Sequence, residues 1–103
     1  MNRQRRGPAT KRGRECSEAL RGGTYSFSDH FLCSWPGALD AATKQALQIA
    51  LSVLARCGPC IRIQVEKARK MSFTQEEIDE AVWMAIAFGG APVMMFYKEV
   101  MKT

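Results

Sequence analysis

Gln45-Ala46-Leu47-Gln48-Ile49-Ala50-Leu51-Ser52-Val53-Leu54-Ala55-Arg56-Cys57-Gly58-Pro59-Cys60 is the stretch on which the fold turns. Ala46, Leu47, Ala50, Leu51, Val53 and Leu54 recur at helical spacing and give a wide apolar face through Ala55, with Asp40 or Thr43 placed to cap the start. A strand would alternate apolar and polar side chains, and this segment does not. Pro59 disfavours helical geometry at Gly58 but is tolerated in a first turn. The chain is therefore expected to break or kink at Cys57 and Gly58 and to resume as a helix to about Met71, with Cys57 at its N-terminus.

Downstream, Ser72 to Thr74 read as a connection. Thr74-Gln75-Glu76-Glu77 has the form of a capping box, in which the Thr74 hydroxyl accepts from the third helical amide and Glu77 reaches back. Ile78, Ala81, Val82, Ala85 and Ile86 continue at helical spacing as far as Gly89-Gly90. Pro92 suits a first turn, and Val93, Phe96, Tyr97, Val100 and Met101 carry a last helix. Upstream, Tyr25, Phe27, Phe31, Leu32 and Trp35 are spaced two to four apart, and Ser28 can cap a short helix ending before Pro36. No hairpin signal, sustained alternation or internal repeat is present, so the expected class is all-α.

The 103 residues suffice for one small core, and 47% of them are apolar. Six methionines, concentrated in the C-terminal third, exceed what a thin monomer buries, and this surplus predicts a subunit interface. The net charge of +5 is uneven: residues 1–22 carry seven basic side chains against two acidic ones, whereas residues 23–103 carry eight of each. The basic balance thus belongs to a tail, residues 1–24, that is rich in Arg and Gly and has too little apolar surface to fold; residues 25–103 form the expected helical domain. A contact between the tail and nucleic acid is conceivable through counterion release, but a solvated extension is the simpler expectation. No apolar region of signal-peptide type follows the arginines and no apolar run is long enough to span a bilayer, so the expectation is a cytoplasmic protein without a membrane partner.

In a reducing compartment a Cys-x-x-Cys pair is catalytic or metal-binding more often than structural. Zinc would require two ligands beyond Cys57 and Cys60, and Cys16, Cys33 and His30 stand isolated, so neither a metal nor another cofactor is expected. Two thiols at this spacing can cycle between dithiol and disulfide. Only the thiolate is nucleophilic, and a helix N-terminus, with Arg56 and Arg62 nearby, favours it at Cys57. Cys60 and Gln64, four apart, share a helix face, where the amide can donate to a sulfur or hold a water. Gln45 can meet the same site only if the two helices fold back on each other. Cys-Gly-Pro-Cys is also the tetrapeptide of thioredoxin, but there it follows a strand and an aromatic-rich loop, whereas here a helix precedes it.

The ordered set Leu39-Asp40-Ala41-Ala42-Thr43-Lys44-Gln45, Cys57-Gly58-Pro59-Cys60-Ile61-Arg62-Ile63-Gln64 and Ser72-Phe73-Thr74-Gln75-Glu76-Glu77-Ile78-Asp79-Glu80-Ala81, closed by Gly89-Gly90-Ala91-Pro92, resembles the carboxymuconolactone decarboxylase and AhpD-like alkylhydroperoxidase family over about residues 37 to 102. The resemblance implies an all-α subunit that assembles as a homo-oligomer, a trimer or hexamer. For the peroxidase branch it implies that Cys60 attacks peroxide and Cys57 resolves the sulfenic acid, while a Glu and a His relay protons. Those two relay positions are Gln45 and Gln64 here, and an amide does not titrate near neutral pH.

Thiol–disulfide exchange needs less proton management than cleavage of an O–O bond. The residues therefore point first to a thiol–disulfide oxidoreductase or weak peroxidase that uses Cys57 and Cys60 with a thiol or disulfide partner. The alternatives are a non-catalytic oligomer that keeps the fold without the relay, and a lactone decarboxylase, which in the family draws on the His replaced here by Gln64.

Overall fold

A computed structural model describes residues 37–102. Four helices follow one another: α1 (Ala41–Leu54), α2 (Gly58–Lys70), α3 (Gln75–Gly89) and α4 (Ala91–Lys102). The described residues are all-α, as the periodicity indicates, with no strand among them. The expected short helix between Ser28 and Pro36, together with His30, Cys16, Cys33 and the basic tail, lies outside the described residues. No helix among the described residues is long and apolar enough to cross a membrane.

The chain divides within α1, between Lys44 and Gln45, into two units. In the first unit the choice of cap is settled: the Asp40 carboxylate accepts the Thr43 N–H at 2.7 Å, so Asp40 and not Thr43 opens α1. In the second, Ile49 and Val53 of α1, Ile61 and Val65 of α2, Ile78 and Val82 of α3 and Val93 of α4 close one apolar core. Helix α4 packs on both α2 and α3.

Both helix ends in the α1–α2–α3 segment are closed by the same device. At the end of α1, Cys57 N–H donates to Ser52 O at 3.2 Å and Arg56 N–H to Val53 O at 3.0 Å, the paired bonds of a Schellman cap. At the end of α2, Phe73 N–H donates to Ala68 O and Ser72 N–H to Arg69 O, both at 3.0 Å. Each cap needs one left-handed residue, and the chain supplies Arg56 (φ 57°) and Ser72 (φ 67°) where glycine is the usual choice. The expected break at Cys57 is therefore a full helix stop, and α1 ends at Leu54 rather than Ala55.

The Thr74 capping box is complete: Glu77 N–H donates to Thr74 Oγ1 at 3.1 Å and Thr74 N–H to Glu77 Oε1 at 2.9 Å. At the far end of α3, Gly90 holds φ 78° and ψ −168°, a region essentially confined to glycine. Its neighbour Gly89 is required for a different reason. A Cβ there would run into the buried Val93 side chain and come within 3.0 Å of Leu54 Cδ1, so the ends of α1 and α3 and the start of α4 meet on a bare backbone.

Helices α1 and α3 are apolar on two sides. Ile49 and Val53 face the core, while Leu47, Leu51 and Leu54 at i, i+4 and i+7 are exposed. On α3, Trp83, Met84 and Phe88 are likewise exposed, Phe88 to 85% of its surface. A helix that is hydrophobic all round is normally covered on all sides.

Gly89→Ala is expected to lower stability by about 1–3 kcal/mol through overpacking against Val93. Urea denaturation checks it, with an unchanged midpoint as the opposing result.

Candidate functional site

The site is built from the junction of two helices. The left-handed turn at Arg56 ends α1 and sets Cys57 in extended conformation (φ −100°, ψ 98°) as the N-cap of α2. From there the Cys57 carbonyl accepts the Ile61 N–H at 2.9 Å, which starts the new helix. The Cys57 Sγ accepts the Cys60 N–H at 3.4 Å, the bond that a Ser or Asp oxygen makes at an ordinary cap. Pro59 occupies the first turn, where its missing N–H leaves no intrahelical bond unmade.

Cys57 and Cys60 are joined as a disulfide, with Cα atoms 5.2 Å apart. Cys57 is half-buried, and Pro59 and Cys60 are exposed, so the bridge lies at the surface. In the reduced protein the same amide would face a Cys57 thiol, and a hydrogen bond from a helix's first turn favours the thiolate. Arg56 and Arg62, both exposed, flank the pair, and α2 has no acidic residue in its first turn.

Gln45 and Gln64 are also brought together, because the stop at Ala55–Cys57 folds α2 back along α1. Gln45, 2% exposed, donates both Nε2 hydrogens into α2: one to the Gln64 carbonyl at 2.9 Å and one to Gln64 Oε1 at 3.0 Å. This contact spans 19 residues of sequence. The glutamines are thus committed to each other, and among the described residues no hydrogen bond joins either of them to Cys57 or Cys60. Cys60 and Gln64 share a face of α2 as their spacing predicts, one helical turn apart.

A second polar group stands apart from the sulfurs. Gln75 accepts from Arg69 Nη2 at 3.4 Å and donates to Asp79 Oδ1 at 2.9 Å. Tyr97 of α4 feels this group: burial first, then the Asp79 carboxylate, raises its phenol above the ordinary tyrosine value, partly opposed by Arg69. The i,i+4 spacing of Gln75 and Asp79 is visible in the sequence, whereas the approach of Arg69 from α2 and Tyr97 from α4 is not. Among the described residues no group of three His, Cys, Asp or Glu side chains could hold a metal ion.

Residues 27–103 match the carboxymuconolactone decarboxylase family. The chain belongs to that family. Among curated proteins it is similar to "Uncharacterized protein 4 in cox locus" of Paracoccus denitrificans, 43% identical over 49 residues, which are 48% of this chain and 44% of the relative. It is also similar to an uncharacterized protein of Cupriavidus necator, 32% identical over 60 residues, which are 58% of this chain and 53% of that protein. The chain thus spans about half the length of the curated relatives it matches. No solved structure matches it.

The asymmetry of the amide pair gives a test. Gln45→Ala removes two hydrogen bonds and opens a buried space, and is expected to cost about 1–3 kcal/mol. Gln64→Ala leaves the backbone carbonyl as a partner for Gln45 and is expected to cost less than half as much. Thermal or urea unfolding of the two variants distinguishes them, and equal losses would contradict the arrangement.

Proposed function

We propose that this member of the carboxymuconolactone decarboxylase family is a thiol–disulfide oxidoreductase that works through Cys57 and Cys60. The observation that carries the reading is the surface disulfide whose first sulfur also caps a helix, accepting the Cys60 N–H. In the reduced state the Cys57 thiolate attacks one sulfur of a substrate disulfide R–S–S–R; that S–S bond breaks and the first R–S⁻ departs. The Cys60 thiolate then displaces the second R–S⁻ from Cys57 and closes the Cys57–Cys60 bond. Two electrons pass from the protein dithiol to the substrate, and the two protons given up by the thiols end on two molecules of R–SH.

The Gln45–Gln64 pair supports exchange over peroxide cleavage. The family resemblance places a titrating Glu and His at those positions, whereas two amides hydrogen-bonded to each other neither take up nor deliver a proton near neutral pH. General acid–base assistance is typically worth about 10²- to 10⁴-fold, so peroxide reduction with Cys60 as the attacking sulfur is the weaker activity. The same amide pair favours the competing reading, a non-catalytic oligomer. A test of both is the Cys60→Ser variant: exchange turnover is lost and a mixed disulfide accumulates on Cys57, visible by mass spectrometry. Full turnover in that variant contradicts the mechanism, and wild-type protein without any disulfide-dependent turnover favours the non-catalytic reading. Peroxide-dependent turnover is expected to rise about 10²-fold or more in Gln45→Glu/Gln64→His, the two side chains being already in contact.

The unit of function in this proposal is a homo-oligomer. Leu47, Leu51 and Leu54 form an apolar stripe on α1 whose end reaches Gly89, next to the exposed Phe88, and a stripe of this kind is covered by a second copy of the chain. Phe88→Glu is expected to shift the protein toward monomer in light scattering while keeping its helical circular dichroism. An unchanged mass would place the interface elsewhere.

A further inference from the structure

We infer that the Cys57–Cys60 site selects anionic disulfides, and that Arg56 positions them. The inference rests on the exchange reading above and adds a substrate class to it.

From Gln45 to Val65 the only charged side chains are Arg56 and Arg62, both basic. Arg56 is exposed and immediately precedes Cys57, the sulfur that a substrate disulfide has to reach. On the other side of that sulfur the first turn of α2 contributes its amide dipoles and no carboxylate. The one carboxylate of α2, Glu66, lies 3.7 Å from Lys70, and that of α4, Glu99, lies 3.6 Å from Lys102. Where α4 comes closest to Gly58, at the start of α2, the side chain it presents is Val100. Thus the segment that carries Cys57 and the exposed Cys60 bears charge of one sign only.

Arg56 also holds a position that would ordinarily fall to glycine, at φ 57°. The connection between the helices therefore carries a charged, exposed guanidinium side chain one residue from the disulfide. A carboxylate on the substrate, a few bonds from the attacked sulfur, can meet that guanidinium as the S–S bond aligns with Cys57. Such an exposed pairing is worth several-fold in rate and is strongly screened by salt. Arg56 acts here as a positioning residue. Bond making and breaking remain with the two sulfurs, by the electron and proton balance given above.

The test compares three disulfides of different charge with the pre-reduced full chain: glutathione disulfide (anionic), hydroxyethyl disulfide (neutral) and cystamine (cationic). Each rate is divided by the rate with free dithiothreitol to remove intrinsic reactivity. At low ionic strength the anionic disulfide is expected to react about fivefold faster than the neutral one and the cationic disulfide more slowly still. The ratios are expected to fall below about twofold in 0.5 M NaCl. Arg56→Gln is expected to bring the anionic-to-neutral ratio in low salt down to its high-salt value, and Arg56→Lys to keep most of it. Equal normalised rates, or a ratio indifferent to both salt and Arg56→Gln, overturn the charge selection and leave exchange standing. Absence of exchange with all three disulfides removes the exchange reading and this inference together.

Discussion

Cys57 makes three bonds within one residue, and the arrangement of the site depends on them. Its N–H donates to Ser52 O and closes α1; its carbonyl accepts Ile61 N–H and opens α2; its sulfur accepts Cys60 N–H and caps the first turn. Two helices can abut this closely only because the residue before it turns left-handed and the residue at the second position of α2, Pro59, has no N–H to satisfy. The disulfide pair is consequently part of the fold's own hydrogen-bonding scheme. Two of the three bonds are made by the Cys57 backbone and do not involve either sulfur.

The same junction explains the amide pair. Reversing direction in the three residues Ala55–Cys57 brings Gln45 against Gln64, and the buried Gln45 amide is satisfied by α2 alone. The pair ties the helices together one turn along α2 from Cys60. A buried carboxylate at the same place would have to be paired or protonated, whereas an amide has no charge to desolvate. Structural economy and proton chemistry therefore pull apart at this position, and this chain carries the residues that favour the former.

Much of this was legible from local sequence. Helical spacing in Ala46–Leu54 and Ile78–Ile86, the Thr74 capping box, Pro59 and Pro92 in first turns and Gly89-Gly90 as a stop each encode their structure within a few residues, and the structure follows them closely. Placing Cys57 at a helix start was legible for the same reason. The left-handed Arg56 and Ser72 were not, because the residue types that signal a Schellman cap, glycine and asparagine, are absent at both. Asp40 and Thr43 both have capping side chains, and only geometry separates them. The Gln45–Gln64 contact joins residues 19 apart on separate helices, and Tyr97 reaches the Arg69–Gln75–Asp79 group from α4, so that no short window along the chain contains either meeting. Leu47, Leu51 and Leu54 fit one wide apolar face by their spacing, but they lie opposite Ile49 and Val53 and remain exposed.

The central claim is that Cys57 and Cys60 form a reversible couple, and a redox titration with thiol labelling read by mass spectrometry tests it most directly. The account predicts that both thiols appear and disappear together in a single two-electron transition, within the range of about −200 to −300 mV reached by glutathione and thioredoxin-type couples. A pair that stays oxidised or stays reduced across that range, or two thiols that label independently, would contradict it.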